Sequence, residues 1–181
     1  PEESVMVWSF LETPRGLLAG TRYGLARVAP DGALQRVPVA PTSSGIDIIT
    51  ALSRDAEGRI LAGHAEKGLF TLDEETLAIQ GHLGSADGLP IGSVNALLIA
   101  GDRLLVGTES GLAVVSAAGV TVYGTHEGLP SPRISSLLED RDGAIWIGTF
   151  GSGVVQVSLS GDVLFRERDG LGEFVSSVFE R

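Results

Sequence analysis

The chain has 181 residues, no cysteine and a formal net charge of −10 at neutral pH. That acidity argues against a nucleic-acid partner, because it repels phosphate backbones, and the missing thiols exclude disulfides and cysteine metal sites. No apolar run approaches the ~18–20 residues that a spanning helix needs. The apolar share of 43% is enough for a real core, and 25 glycines point to many tight turns. Of the thirteen basic residues, Lys67 is the only lysine. The chain opens Pro1-Glu2-Glu3-Ser4 with no basic n-region, so any export signal or membrane anchor is expected outside these residues.

Taken in order, the predicted elements fall into four similar units, approximately 4–40, 46–86, 91–126 and 131–168. The first unit holds apolar runs at 5–11, 16–21, 25–28 and 34–37. The second holds them at 46–52, 59–64, 69–72 and 78–83, and the third at 94–100, 103–108, 112–115 and 120–123. The fourth has runs at 134–138, 144–149, 154–157 and 163–166. Polar turns such as Asp55-Ala-Glu-Gly58 and Asp140-Arg-Asp-Gly143 separate them. Their Asp oxygens and left-handed glycines suit hairpins better than a Ca²⁺ loop. After residue 171 the chain begins a fifth unit, 172–181, with one further strand at 174–179.

The second run of each unit is a variant of one phrase. It reads Gly16-Leu-Leu-Ala-Gly-Thr21, Arg59-Ile-Leu-Ala-Gly-His64, Arg103-Leu-Leu-Val-Gly-Thr108 and Ala144-Ile-Trp-Ile-Gly-Thr149. Its glycines, Gly20, Gly63, Gly107 and Gly148, are 43, 44 and 41 residues apart. A period in the forties built from short strands is the signature of β-propeller blades. The expected fold is therefore all-β: a propeller segment of four four-stranded antiparallel blades plus one extra strand, forming a single domain. Consecutive apolar residues in the phrase imply a strand buried on both faces, and its glycine implies close approach of a neighbouring backbone. Both Trp8 and Trp146 are expected in the core. A second phrase joins the units: Asp87-Gly-Leu-Pro90, Glu127-Gly-Leu-Pro130 and Asp169-Gly-Leu-Gly172, its leucine expected to plug the space between blades. The first junction, Ala40-Pro-Thr-Ser-Ser-Gly-Ile46, departs from it.

The run Gly128-Leu-Pro-Ser-Pro-Arg-Ile-Ser-Ser-Leu-Leu-Glu-Asp-Arg-Asp-Gly-Ala-Ile-Trp-Ile-Gly-Thr149, followed by Gly153-Val154, resembles the two-component regulator propeller repeat. The third unit is also similar, and the first two less so, with Ala at bulky positions of the phrase. The resemblance implies a sensory ectodomain, usually periplasmic, of a bacterial histidine kinase, hybrid kinase or diguanylate cyclase.

No catalytic constellation or metal-ligand spacing is present, and no cofactor is expected. His64 stands where the other units have Thr and reads as a buried, turn-satisfied residue. Gly148-Thr-Phe-Gly-Ser-Gly153 lacks the following helix that a phosphate loop requires. In a four-stranded blade the second turn and the interblade link emerge on one rim, and binding residues concentrate on loops carried by rigid scaffolds. Candidate ligand-binding residues on that rim are Arg22, Tyr23, Lys67, Glu109 and Phe150 from the turns, with Arg133 and Asn95 from the links. A small molecule, oligosaccharide or peptide would suit that mixture. The expected function is ligand sensing without catalysis. A protein-interaction scaffold is the alternative and a propeller lyase the third, the latter lacking the paired His and Glu such lyases use. Self-association is expected from the unpaired ends, and contact with a membrane only through further parts of a parent chain.

Overall fold

The computed structural model describes residues 6–29, 32–41, 43, 45–158 and 164–167. It contains sixteen strands in four antiparallel sheets, each with its strands in chain order. Blade 1 comprises β1 (Val7–Thr13), β2 (Gly16–Thr21), β3 (Gly24–Val28) and β4 (Leu34–Val37). Blade 2 comprises β5 (Ile49–Arg54), β6 (Ile60–His64), β7 (Gly68–Leu72) and β8 (Ile79–Leu83). Blade 3 comprises β9 (Val94–Ala100), β10 (Arg103–Thr108), β11 (Leu112–Ser116) and β12 (Gly119–Tyr123). Blade 4 comprises β13 (Ile134–Glu139), β14 (Ile145–Thr149), β15 (Val154–Ser158) and β16 (Leu164–Glu167). The expected fifth-unit strand lies outside the described residues.

The first strands of the blades, β1, β5, β9 and β13, lie side by side in that order around an axis. Among the described residues, β13 and β1 do not pack together as the other neighbours do, so the four blades form an arc. Three apolar clusters fill the three junctions. Leu18, Leu25, Ile49 and Ile60 meet between blades 1 and 2. Leu61, Leu69, Val94 and Val106 meet between blades 2 and 3, where Leu89 of the first Gly-Leu-Pro phrase inserts. Leu105, Leu112, Ile145 and Ile147 meet between blades 3 and 4, with Leu129 of the second phrase. In both plugged links a short 3-10 turn, Ser85–Asp87 or Thr125–Glu127, delivers the leucine. Its acidic side chain bonds back to the amide of Gly84 or Gly124, fixing the entry angle.

The glycine of the repeated phrase is a packing residue. A Cβ on Gly20 would sit 2.7 Å from the Ile49 carbonyl oxygen and 2.6 Å from Ser9 Oγ. On Gly63 it would sit 2.5 Å from Val94 Cγ1, and on Gly107 2.6 Å from Ile134 Cγ2. Thus the first residue of each blade's inner strand seats on the bare backbone of the blade before it. The threonine that follows caps the next turn. Thr21 Oγ1 donates to the Gly24 carbonyl at 2.9 Å and accepts from the Tyr23 amide at 3.0 Å. Thr108 does the same with Gly111 and Ser110.

Two expectations are corrected. Trp146 is only half-buried: it lies on the face of β14 opposite Ile145 and Ile147, which pack on blade 3. Its indole N–H donates to Asp140 Oδ2 at 2.6 Å, while Asp140 Oδ1 accepts the amides of Asp142 and Ala144 and closes the hairpin. Those bonds hold the Asp140 carboxyl below its usual range, the indole being the main cause. The inner strand of unit 2 begins at Ile49 rather than residue 46, because Asp47 is used in the junction described below.

Gly20 carries ordinary φ, so an added methyl acts through its contacts alone. Gly20→Ala should destabilise the chain by about 1–3 kcal/mol through overpacking. Gly81→Ala, whose Cβ would meet only Thr71 at 3.6 Å, should be near neutral. Urea midpoints of the two variants check the difference, and equal midpoints would remove the close-approach role.

Candidate functional site

Each inner strand contains one extra residue opposite the phrase. Val7 pairs with Thr21 and Ser9 with Gly20, leaving Trp8 unpaired. The same shift isolates Thr50, Asn95 and Ser135 in the other blades. A β-bulge re-aims its extra side chain, and here all four turn into one axial cavity of about 380 Å³. Its remaining walls come from Ser93, Glu109, Arg133 and Phe150.

Two of these bulge residues also tie the blades together. Thr50 Oγ1 donates to the Val94 carbonyl of the next blade at 2.6 Å. Asn95 Nδ2 donates to the Ile134 carbonyl at 2.9 Å, which leaves its Oδ1 as an acceptor at the cavity. Trp8 instead is 40% exposed, so its expected core position is not observed. Blade 1 thus supplies an aromatic wall where the others supply small polar groups.

In blades 2, 3 and 4 a backbone bond joins the second turn to the link that enters the blade. The Glu109 amide donates to the Ser93 carbonyl at 3.2 Å, and the Phe150 amide to the Arg133 carbonyl at 2.9 Å. Arg133 lies over the Phe150 ring, 4.9 Å from its centroid. Its Nη2 is 3.9 Å from Glu109 Oε1, with both side chains about half exposed. The cavity therefore combines an acid, a guanidinium, two aromatic rings and several hydrogen-bonding groups.

Four of the seven expected residues, Asn95, Glu109, Arg133 and Phe150, line this cavity. The other three do not. Arg22 holds the place in its turn that Glu109 and Phe150 hold in theirs, yet lies outside the lining set. Tyr23 lies under Arg36, whose guanidinium carbon is 5.7 Å from the ring centroid, and forms an isolated parallel bridge with Asp47. Lys67 is drawn to the carbonyl oxygens of Ala40 and Pro41 in the first link. Being third in its turn, Lys67 points away from the axis. Sequence reasoning missed Thr50, Ser93 and Ser135. The bulge position, one residue after the Val or Ile that opens each inner strand, is the signal that finds two of them.

His64 belongs to the unplugged junction and not to the cavity. Its Nδ1 accepts the amides of Glu66 and Lys67 at 2.9 and 3.1 Å, the turn-capping task of threonine elsewhere. The ring proton is thereby assigned to Nε2, which faces Asp47 Oδ1 at 3.4 Å. Both residues are buried. Asp47 Oδ2 also accepts the Val39 amide at 2.6 Å, and Oδ1 the Ala40 amide at 3.0 Å. Burial pushes the Asp47 carboxyl up. The His64 contact and the two amides together outweigh it and hold the group below its ordinary value.

Residues 128–151 match the family described as Two component regulator propeller. The matched stretch holds the second Gly-Leu-Pro link and the first two strands of blade 4, β13 and β14. Solved structures extend the likeness to the whole arc at the level of fold. The extracellular domain of BT3049 from B. thetaiotaomicron, assigned as a hybrid two component system, is 19% identical with a TM-score of 0.77, covering 96% of this chain and 25% of that one. The corresponding domain of BT4673 is 20% identical with a TM-score of 0.77, covering 99% and 24%. A virginiamycin B lyase from Staphylococcus aureus is 13% identical with a TM-score of 0.69, covering 94% and 58%. The chain therefore spans about a quarter of those two extracellular domains. Among curated proteins, none matches it in sequence. At the level of fold the arc is thus shared by extracellular domains of two component systems and by a lyase.

A carboxyl held low by the fold stabilises the folded state above its unfolded value, near 3.9, and that contribution is lost as pH falls through the folded value. Asp47→Asn should cost about 1.5–3 kcal/mol at pH 7, the scale of hydrogen bonds to a charged group. The gap from the native chain should narrow below about pH 4 and close in stronger acid. Urea unfolding of both proteins across that range measures it; a gap independent of pH would make the role of Asp47 purely steric.

Proposed function

We propose that this chain is a non-enzymatic, extracytoplasmic ligand-sensing propeller module of a bacterial signal-transduction receptor, binding its ligand in the axial cavity. The observation that carries this reading is the convergence of one rim position and one bulge position from successive repeats on a single cavity. The supporting scaffold is fixed by glycine contacts and apolar clusters, while the lining residues differ from blade to blade. A frame repeated from blade to blade with a varied lining suits a recognition surface. The repeat match and the likeness to extracellular sensor domains support the receptor context. Among the described residues, no helix is long and apolar enough to cross a membrane.

The absence of histidine from the cavity lining favours binding over lyase chemistry. His64 is committed to the Glu66 and Lys67 amides, and His82 Nε2 contacts the Lys67 carbonyl oxygen at 2.6 Å on an outer strand. Neither stands beside Glu109, the acid of the cavity.

A ligand selected by thermal-shift screening provides the test. Trp8→Ala and Arg133→Ala should each weaken it at least about tenfold, about 1.4 kcal/mol, with little change in unliganded melting temperature because both side chains are exposed. Unchanged affinity in both variants would move binding away from the cavity.

A second reading, a surface that docks protein, rests on blade 1. Val7 is 42% and Phe10 62% exposed, whereas Ile49, Val94 and Ile134, the counterparts of Val7, are fully buried. Apolar exposure of this kind favours association. Self-association of the chain should appear as a mass above 18.8 kDa that rises with concentration in light scattering. A constant monomer mass, or association unchanged in Phe10→Asp, would remove this reading.

A further inference from the structure

The charged pair at the cavity is spaced for a particular ligand. Arg133 and Glu109 approach no closer than 3.9 Å, beyond hydrogen-bond distance, and each is about half exposed. An exposed pair of this kind contributes little to stability, so little is lost when a ligand replaces it. Each group keeps its hydrogen-bonding capacity on the cavity side. An anionic ligand on Arg133 must also face the Glu109 carboxylate. It approaches through the field of a chain carrying −10 as well. A cationic ligand on Glu109 must face the guanidinium. A neutral ligand leaves the two charges to answer only each other, across 3.9 Å.

A molecule with both charges meets neither penalty. In a free α-amino acid the ammonium nitrogen and carboxylate oxygens are on the order of 3 Å apart, set by two covalent bonds at one carbon. That matches the separation of Glu109 and Arg133. Peptide termini are further apart by about 3.5 Å for every residue added, and match less well. The apolar contribution comes from Trp8 on the blade 1 side and Phe150 under Arg133, both part of the cavity wall. These rings suit a flat or branched apolar side chain. Asn95 Oδ1 adds an acceptor for a second ammonium proton. A cavity of about 380 Å³ is at the small end for ligand sites and holds a single small molecule.

The geometry points to a zwitterionic α-amino acid with an aromatic or large aliphatic side chain as the ligand of the axial cavity, its carboxylate on Arg133 and its ammonium on Glu109. This assignment rests on the ligand-sensing reading above and deepens it.

Tryptophan fluorescence of the intact chain reports the test, with L-phenylalanine as the probe, since Trp8 is in the cavity and Trp146 is not. L-Phenylalanine should give a saturable change that is lost in Trp8→Phe. Two blocked analogues isolate the charges: N-acetyl-L-phenylalanine lacks the ammonium and L-phenylalaninamide lacks the carboxylate. Each should bind at least tenfold more weakly. In Glu109→Gln the amino acid and its N-acetyl form should bind alike; in Arg133→Gln the amino acid and its amide should bind alike. Unliganded melting temperatures verify that both variants are folded. Equal binding of L-phenylalanine and either blocked form by the native chain overturns the assignment. Trp8-dependent binding of maltose, with no response to L-phenylalanine up to millimolar concentration, overturns the amino-acid class and leaves the cavity as the binding site. L-Phenylalanine binding that is indifferent to Trp8, Glu109 and Arg133 overturns both.

Discussion

The close seating of one blade on the glycine of the blade before it is the constraint on which the rest depends. Gly20, Gly63 and Gly107 each leave a gap that Ile49, Val94 or Ile134 fills. That contact brings the inner strands together, and only then can the apolar clusters on either side close. The glycine costs strand propensity, and the packing it permits more than offsets this. Interblade area cannot form at the axis if a methyl stands in the way. The period of the phrase is therefore the period of a physical contact, and the fold class is readable from it.

The cavity is harder to read because it depends on a break in alternation. A strand that obeys period two sends residues in turn to its two faces, both of which meet other blades in blades 2 and 3. Side chains reach the axis only where a bulge inserts an extra residue. Trp8, Thr50, Asn95 and Ser135 occupy that place in register, yet nothing in a run such as Val94-Asn-Ala-Leu marks the asparagine as unpaired. A tryptophan within an apolar run looks like core, and Trp8 was legible only once the Val7–Thr21 and Ser9–Gly20 pairings were known. Rim residues were easier, since turns are visible as turns. Depth within the turn separates most of them, although Arg22, also immediately after its threonine, lies outside the lining. Glu109 and Phe150, immediately after the threonine, face the cavity, whereas Tyr23 and Lys67, further along, are captured by the first link.

That link shows how a departure from the repeat is made good. It lacks the Gly-Leu-Pro plug, and the bulge residue of blade 1 is not a small polar group that could bond across to Ile49. Asp47 takes over. Its amide donates to the Arg22 carbonyl, its own carbonyl accepts the Gly24 amide, and its side chain holds the Val39 and Ala40 amides. Burying a carboxylate is costly unless its oxygens are filled, and His64 completes the set from the neighbouring turn. The His at a threonine position and the irregular link are thus one structural fact. Sequence alone displays them as two separate exceptions, because 17 positions divide Asp47 from His64 and nothing in either local pattern names the other.

The same division between frame and lining gives the cavity its freedom to vary. Most residues that seat the blades are glycine, aliphatic or turn-capping hydroxyls, buried where substitution is penalised, and Asp47 with His64 takes that part at the first junction. The lining groups, by contrast, hang from backbone already fixed by the Glu109–Ser93 and Phe150–Arg133 bonds. Exchanging such a side chain alters what the cavity recognises without removing a contact that holds the blades together. Thr50 and Asn95 are the exceptions, since each bridges to the next blade while lining the cavity. Their polar character answers to packing as well as to any ligand. Trp8, Glu109, Arg133 and Phe150 carry no such duty through their side chains, so the chemistry of those four is the part of the arc that a ligand can have shaped.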